Sequence, residues 1–188
     1  MEINKHPFQI WINADEEFDT SSSIHNKYDY IYNPNDYTDA DYIKTFSIII
    51  KCRDNKTRIA LVGDLHSSVE GCAIIVGNQL LVLQNDTLSV IDMETSQLLR
   101  FVEIETFGCN FSIHSIKTGY IIYGEIEILK LSFDLNVEWR FSGRDIFVSM
   151  HNKNSFELCE NHINLYDFLG NYYEVDFEGN LICDIPAK

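Results

Sequence analysis

The chain has 188 residues, of which 45% are hydrophobic, and its formal net charge is −15. This length supports one domain with a sizeable core, and the hydrophobic content excludes whole-chain disorder. The negative charge argues against binding to nucleic-acid phosphates or to an anionic membrane face. The five cysteines are widely spaced, which predicts reduced thiols and no disulfide framework or zinc site. Because the sequence shows neither a signal peptide nor an apolar run approaching the roughly 20 residues of a membrane helix, we expect a cytoplasmic protein.

The N-terminal segment changes character after its first predicted strand. Residues 8–12 alternate as a strand does, and an acidic, tyrosine-rich loop is predicted at about residues 13–42. Tyrosine supplies contact area at low entropic cost and acids steer a basic partner, so this loop could be a docking surface. The alternatives are a solvated loop that packs its tyrosines on the sheet below, and a cation site without the EF-hand pattern. The candidate partner-binding residues are Asp29, Tyr30, Tyr32, Asp36, Tyr37, Asp39 and Asp41.

A Gly-Asp-x-His motif follows the next apolar run, at residues 63–66. It resembles the first metal motif of calcineurin-like phosphoesterases, in which Asp64 and His66 would share a metal of a two-metal centre. The resemblance implies a small metal-dependent hydrolase. However, the later Asn-His step is missing, because residues 77–79 read Gly-Asn-Gln. A tight turn at the end of a strand explains the same residues, and we predict neither a metal nor a cofactor.

A repeat of about forty residues dominates the rest of the chain. Asp92, Asp134 and Asp176 recur at intervals of 42 residues, each between two apolar runs, and Asp54 marks a weaker copy upstream. Each copy is predicted to form a strand, a turn led by Asp, and a second strand, because Asp stabilises tight turns with its own side chain. Further apolar runs give about four strands per copy, at residues 73–76, 79–83, 111–114, 120–123 and 155–158. This density is typical of a β-propeller blade.

The final copy contains two near-identical turns nine residues apart. Residues 167–171 read Asp-Phe-Leu-Gly-Asn, residues 176–180 read Asp-Phe-Glu-Gly-Asn, and the stretch between them is long enough for one strand. Two consecutive hairpins predict a twisted antiparallel sheet.

The stretch at residues 80–99 resembles the repeat of quinoprotein-type (PQQ-like) β-propellers. In that repeat a strand ends in Asp, a Thr-Gly-Lys-like turn follows, and the next strand closes on Trp; residues 133–141 resemble a shorter variant and include Trp139. Ser96 stands where glycine is usual, and Arg100 where the Trp would dock. The resemblance spans roughly residues 45–184 and implies architecture only. The quinone-binding residues of the family's enzymes have no counterpart here.

The sequence therefore predicts one all-β domain over residues 1–188, with about four short antiparallel blade-like sheets in a small closed propeller or an open stack. The predicted function is non-catalytic protein binding, in one version as an immunity-type inhibitor of a basic bacterial toxin. One alternative is the metal-dependent hydrolase. Another is a structural module that self-associates, which also allows a homodimer.

Overall fold

All regular structure in the described part of the chain is β-strand. The computed structural model describes residues 1–19, 27–38, 42–148 and 154–187. The chain divides into two compact units, Met1–Glu105 and Thr106–Lys188, and each unit contains two β-sheets. The predicted all-β class with four short sheets is confirmed, whereas a single domain over residues 1–188 stays a prediction. No helix among the described residues is long and apolar enough to cross a membrane.

The first sheet has five strands in the order β1-β2-β4-β5-β3. Strands β1, β2, β4 and β5 are antiparallel neighbours, whereas β3 pairs in parallel with the far side of β5. The strands are β1 (Glu2–Lys5), β2 (Phe8–Asp15), β3 (Tyr30–Tyr32), β4 (Ile43–Cys52) and β5 (Asn55–Asp64). The strand predicted at residues 8–12 is thus the first part of β2, and three residues of the predicted loop form β3.

The other three sheets are four-stranded antiparallel meanders in chain order, the unit from which propeller blades are built. The second sheet comprises β6 (Ala73–Val76), β7 (Gln79–Gln84), β8 (Thr87–Asp92) and β9 (Leu98–Glu103). The third comprises β10 (Asn110–Ile116), β11 (Gly119–Gly124), β12 (Glu127–Leu131) and β13 (Val137–Ser142). The fourth comprises β14 (Phe156–Leu158), β15 (His162–Tyr166), β16 (Tyr172–Asp176) and β17 (Leu181–Ile185).

Each unit has its own apolar core between its two sheets. In the first unit, alternate residues of β2, β4 and β5 meet the second sheet; Ile10, Ile48 and Leu80 are fully buried there. In the second unit, buried residues such as Ile121 and Leu165 come from the third and fourth sheets. Trp139 is partly buried against this second core, as expected for a residue that docks one blade on the next.

The predicted turns join the third and fourth strands of three sheets. Asp92 accepts hydrogen bonds at Oδ1 from the amides of Glu94 and Thr95, at 3.0 and 2.7 Å. Asp176 accepts in the same way from the amides of Glu178 and Asn180, at 3.0 and 2.7 Å. The side chain of the first turn residue therefore stabilises both turns, as predicted. The weaker copy is confirmed as a strand, a turn and a strand, but its turn is not led by Asp, because Asp54 is the second of the two residues between β4 and β5.

The corresponding turn of the third sheet is led by Ser132, and the assignment to Asp134 was wrong. Ser132 Oγ accepts from the amide of Asn136 at 3.2 Å, and the Ser132 amide donates to the Asn136 carbonyl at 2.9 Å. The turn at residues 132–136 therefore matches the one at residues 176–180, with Leu135 at the left-handed position (φ +69°) where Gly179 stands in the other (φ +88°). Serine replaces the leading Asp because a hydroxyl can bond to the backbone in the same way, though more weakly.

Candidate functional site

Three of the seven predicted partner-binding residues lie on or beside the edge strand β3. Tyr30 pairs with Ile59 of β5 and Tyr32 with Leu61, in parallel register. Asp29 precedes the strand and fixes its start, because its amide donates to the Arg58 carbonyl at 2.8 Å and its Oδ2 accepts from the Arg58 amide at 2.7 Å. Among the described residues, β3 pairs with β5 alone, so it is an edge strand of the first sheet.

The two tyrosines of β3 stack on each other but differ in exposure. Their ring centroids lie 6.0 Å apart with an interplanar angle of 5°. Tyr32 packs on the first core, and its hydroxyl donates to the Ser96 carbonyl at 3.0 Å; burial raises the pKa of Tyr32 above its ordinary value. Tyr30 keeps 36% of its surface exposed and Ile31, which the sequence did not single out, keeps 42%. Tyr32 therefore holds the strand in place, while Tyr30 and Ile31 are available for contact.

Asp36 and Tyr37 lie in a turn that Asn33 organises. The Asp36 amide donates to the Asn33 carbonyl at 3.2 Å, and the Tyr37 amide donates to Asn33 Oδ1 at 3.0 Å. Asn35 ties this turn to β8, because its Nδ2 donates to Thr87 Oγ1 at 2.8 Å. Asp36 is exposed and Tyr37 half-buried. The remaining two predicted residues, Asp39 and Asp41, lie outside the described residues.

Asp15, one of the acids that give the segment its negative charge, is already engaged within the protein. Its Oδ2 accepts from Lys27 Nζ at 2.8 Å and from the Tyr28 hydroxyl at 2.5 Å. Burial raises the pKa of Asp15, but the hydrogen bonds from Lys27 and Tyr28 lower it by more, so the carboxyl stays ionised. A count of acids therefore overstates the charge that this segment offers to a partner.

Asp64 and His66 form a turn at the end of β5. Asp64 Oδ1 accepts from the His66 amide at 2.8 Å and from Asn85 Nδ2 at 2.9 Å, and it lies 3.1 Å from His66 Nδ1. The Ser67 hydroxyl donates to the Asp64 carbonyl at 2.6 Å and closes the turn. Among the described residues, no group of three or more His, Cys, Asp or Glu side chains could hold a metal ion. The geometry thus supports the turn interpretation of this motif.

Comparison with known proteins gives a resemblance in fold. No family model matches the chain, and no curated protein does. A solved structure titled dihydro-heme d1 dehydrogenase NirN in complex with DHE is similar with a TM-score of 0.52 and 16% identity, over 78% of this chain and 35% of that chain. BamB from Moraxella catarrhalis is similar with a TM-score of 0.47 and 11% identity, over 78% of this chain and 48% of that one. The Cps50 (Swd1) beta-propeller domain of Myceliophteria thermophila is similar with a TM-score of 0.46 and 11% identity, over 77% of this chain and 57% of that one.

NirN, which has a TM-score above 0.5, is a β-propeller protein, so this resemblance supports a propeller-type architecture. The chain spans between 35% and 57% of the length of these three structures. The narrower resemblance to PQQ-like repeats stays a prediction. At these identities the likeness extends to the fold and not to activity.

Proposed function

We propose that this chain is a non-catalytic protein-binding module that docks a basic partner on its tyrosine edge, which we define as Asp29, Tyr30, Tyr32, Asp36 and Tyr37. The observation that supports this proposal most directly is β3 itself, a short edge strand that carries exposed Tyr30 and Ile31 beside the exposed carboxylates of Asp29 and Asp36. An open strand edge offers backbone groups for pairing, and alternate side chains then select the partner.

The electrostatics favour a basic partner. The net charge of −15 attracts a cationic protein over distances of about the Debye length, roughly 8 Å at physiological ionic strength, and such steering raises association rates more than it raises affinity. A rigid aromatic anchor with a polar rim is the usual composition of an energetic hot spot. Tyr30 supplies that anchor, and Tyr32 behind it limits its movement because Tyr32 is bonded to Ser96.

A specific form of the proposal is an immunity-type inhibitor of a basic bacterial toxin, acting in the cytoplasm. Such an inhibitor needs an acidic recognition surface on a stable scaffold and no catalytic residues of its own, because it acts by covering the toxin. The acidic composition and the β-sheet scaffold agree with this requirement.

The test is affinity capture from host lysate at low and high salt, with quantitative mass spectrometry and the variants Tyr30→Ser and Asp36→Asn. We expect one basic protein to be retained at low salt and weakened at high salt. Tyr30→Ser should reduce its affinity about tenfold or more, as loss of a hot-spot tyrosine does. Phe107→Ser is the matched control, because Phe107 is 68% exposed but lies in the second unit. Equal loss in the control, or retention of the partner by both variants, would contradict the tyrosine edge as the docking site.

The edge strand β17 favours self-association as a second candidate function. Leu181, Ile182 and Ile185 are 47%, 57% and 54% exposed on this outermost strand of the fourth sheet. Exposed apolar edges promote pairing between copies. Sedimentation velocity distinguishes this candidate: a dimer that Ile182→Lys dissociates would support it, and a monomer at all concentrations would exclude it.

A further inference from the structure

The outer face of the first sheet carries a group of bases on an otherwise acidic protein. The inner face packs on the first core, so side chains that alternate with the core residues point away from it. On this outer face Lys51 of β4 lies directly opposite Lys56 of β5, and Arg58 lies opposite Ile49 one step further along. All three bases are exposed. We call Lys51, Lys56 and Arg58 the basic face.

The arrangement of these bases is unfavourable for the isolated protein. Like charges directly opposite each other in an antiparallel pair destabilise the sheet. The chain has 29 acids, yet among the residues that the structure describes none forms an ion pair with Lys51, Lys56 or Arg58. A bound anion would remove this repulsion, which points to a ligand of negative charge.

A cavity of about 280 Å³ adjoins Arg58 on the same face. Its wall includes Arg58, Asn13 and Ser47, and Ile49 and Ala14 contribute apolar surface. Asp15, which also lines the cavity, is already bonded to Lys27 and Tyr28. Arg58 therefore lines a space whose wall also includes an amide residue, Asn13, and a hydroxyl residue, Ser47, and whose one carboxylate, Asp15, already has a cationic partner. This combination suits a carboxylate side chain, which Arg binds in a bidentate manner.

We propose that the basic face binds an extended acidic segment of a partner protein, with carboxylates at alternate positions. Lys56 and Arg58 are two residues apart on one strand, so their side chains emerge about 7 Å apart along it. Alternate side chains of an extended peptide have the same spacing, so neighbouring acids of such a segment would meet both bases. Trp11, which is half-buried and lies opposite Ile49 on the same face, supplies apolar surface for the residues between the acids.

The surroundings of the basic face favour a short acidic peptide over a nucleic acid. Glu2 lies opposite Trp11 on the same face, Asp54 lies in the β4–β5 turn, and Asp29 lies beside the Arg58 backbone. A strand of phosphates that continued past the bases would meet these carboxylates. The footprint is therefore a few residues long, and the net charge of −15 opposes extended polyanions further.

The chain contains a built-in reporter for this proposal. It has two tryptophans: Trp11 lies on the first sheet beside the basic face, and Trp139 packs in the second unit. In an NMR titration with a short peptide of alternating glutamate and threonine, we expect the Trp11 indole resonance to shift and the Trp139 resonance to stay. The double variant Lys56→Ser/Arg58→Ser removes two exposed ion pairs, so affinity should fall about tenfold. Lys56→Arg should retain binding because it keeps a cation at the same position, and Lys117→Ser, which removes an exposed lysine in the second unit, should leave it unchanged.

Three outcomes would overturn the proposal. The first is no shift of Trp11 at saturating peptide, and the second is an equal shift with a peptide of glutamine in place of glutamate. The third is tighter binding of single-stranded oligothymidylate with the same dependence on Lys56 and Arg58, which would assign the face to nucleic acid. None of these results bears on the tyrosine edge, because that site is tested with a basic partner and other variants.

Discussion

Two turns of identical design in the fourth sheet should differ sharply in their contribution to stability. Both Asp167 and Asp176 accept a hydrogen bond at Oδ1 from the amide of the Asn four residues later, at 2.9 and 2.7 Å. Both accept at Oδ2 from the side-chain amide of that Asn, at 2.7 and 2.9 Å. Asp167 and Asn171, however, are 2% and 6% exposed, and Asp167 Oδ2 also accepts from the Tyr173 hydroxyl at 2.8 Å.

The substitutions Asp167→Ala and Asp176→Ala compare the two sites directly. The donors freed around Asp176 are in contact with water, so its loss should cost about 0.5–1 kcal/mol of unfolding free energy. Around Asp167, the amide and side chain of Asn171 and the hydroxyl of Tyr173 lose an acceptor in a buried site. Each such group costs about 1–3 kcal/mol when unsatisfied. After partial relaxation we expect about 3–5 kcal/mol in total for Asp167→Ala.

Native-state amide exchange of β16 measures both costs on one scale, because this strand connects the two turns. The exchange free energies should separate the two variants by at least about 2 kcal/mol. Equal destabilisation, or a larger effect of Asp176→Ala, would refute the reasoning that burial decides the contribution of the turn.

The pH dependence provides an independent check on Asp167. Burial raises its pKa, but the hydrogen bonds from Asn171 and Tyr173 lower it by more, so the folded-state pKa lies below the ordinary value of 3.8. Its contribution to stability is therefore present above about pH 4 and is lost as the pH falls through the folded pKa. Asp167→Asn should show a weaker loss of β16 protection in acid than the wild type. An unchanged acid dependence would show that other carboxyls determine it.

Three further predictions concern the two units separately. Gly63→Ala should lower the melting temperature, because a Cβ there would lie 2.5 Å from the buried side chain of Gln84, which bonds to the Leu61 carbonyl; overpacking of this kind costs about 1–3 kcal/mol. Burial lowers the pKa of His114 from its ordinary value of 6.5. The contribution of His114 to the free energy of unfolding is therefore complete above pH 6.5 and declines as the pH falls below it. His114→Gln should flatten this part of the pH profile of stability measured by urea unfolding. Burial raises the pKa of Cys72 to about 12, so native protein at pH 8 should resist alkylation at this residue in mass spectrometry until it is unfolded.

The parts of the fold that were predictable are those with a local chemical signature. The turns at Asp92 and Asp176 follow from the side chain of the first turn residue. Ser96, which stands where the PQQ-like repeat usually has glycine, takes the left-handed conformation (φ +61°) that glycine usually supplies. The 42-residue spacing misled at Asp134 because the turn of the third sheet begins at Ser132. A serine hydroxyl can accept the same backbone hydrogen bond as an Asp carboxylate, so the recurrence of Asp alone does not locate this turn.

The candidate sites were predictable only in part. The tyrosine-rich segment stands out by its composition, but the parallel pairing of β3 with β5 leaves no local signal in a three-residue strand. The basic face was missed because the net charge of −15 conceals a local excess of positive charge. Lys51 and Lys56 become neighbours only through the register of β4 and β5, and a signal for that register was available in the two-residue turn that joins the strands.

The pairing of β3 has a consequence for how this protein can vary. Strands β2 and β4 are adjacent and antiparallel, so a turn of a few residues could connect them. Without residues 16–42, β1, β2, β4 and β5 would form a four-stranded meander like the other three sheets. The segment between β2 and β4 is thus separable in topology from the four antiparallel strands, and Tyr32 and Asn35 are the residues that attach it to the first core and to β8. Replacement segments between β2 and β4 that keep Tyr32 and Asn35 should therefore leave the first sheet folded.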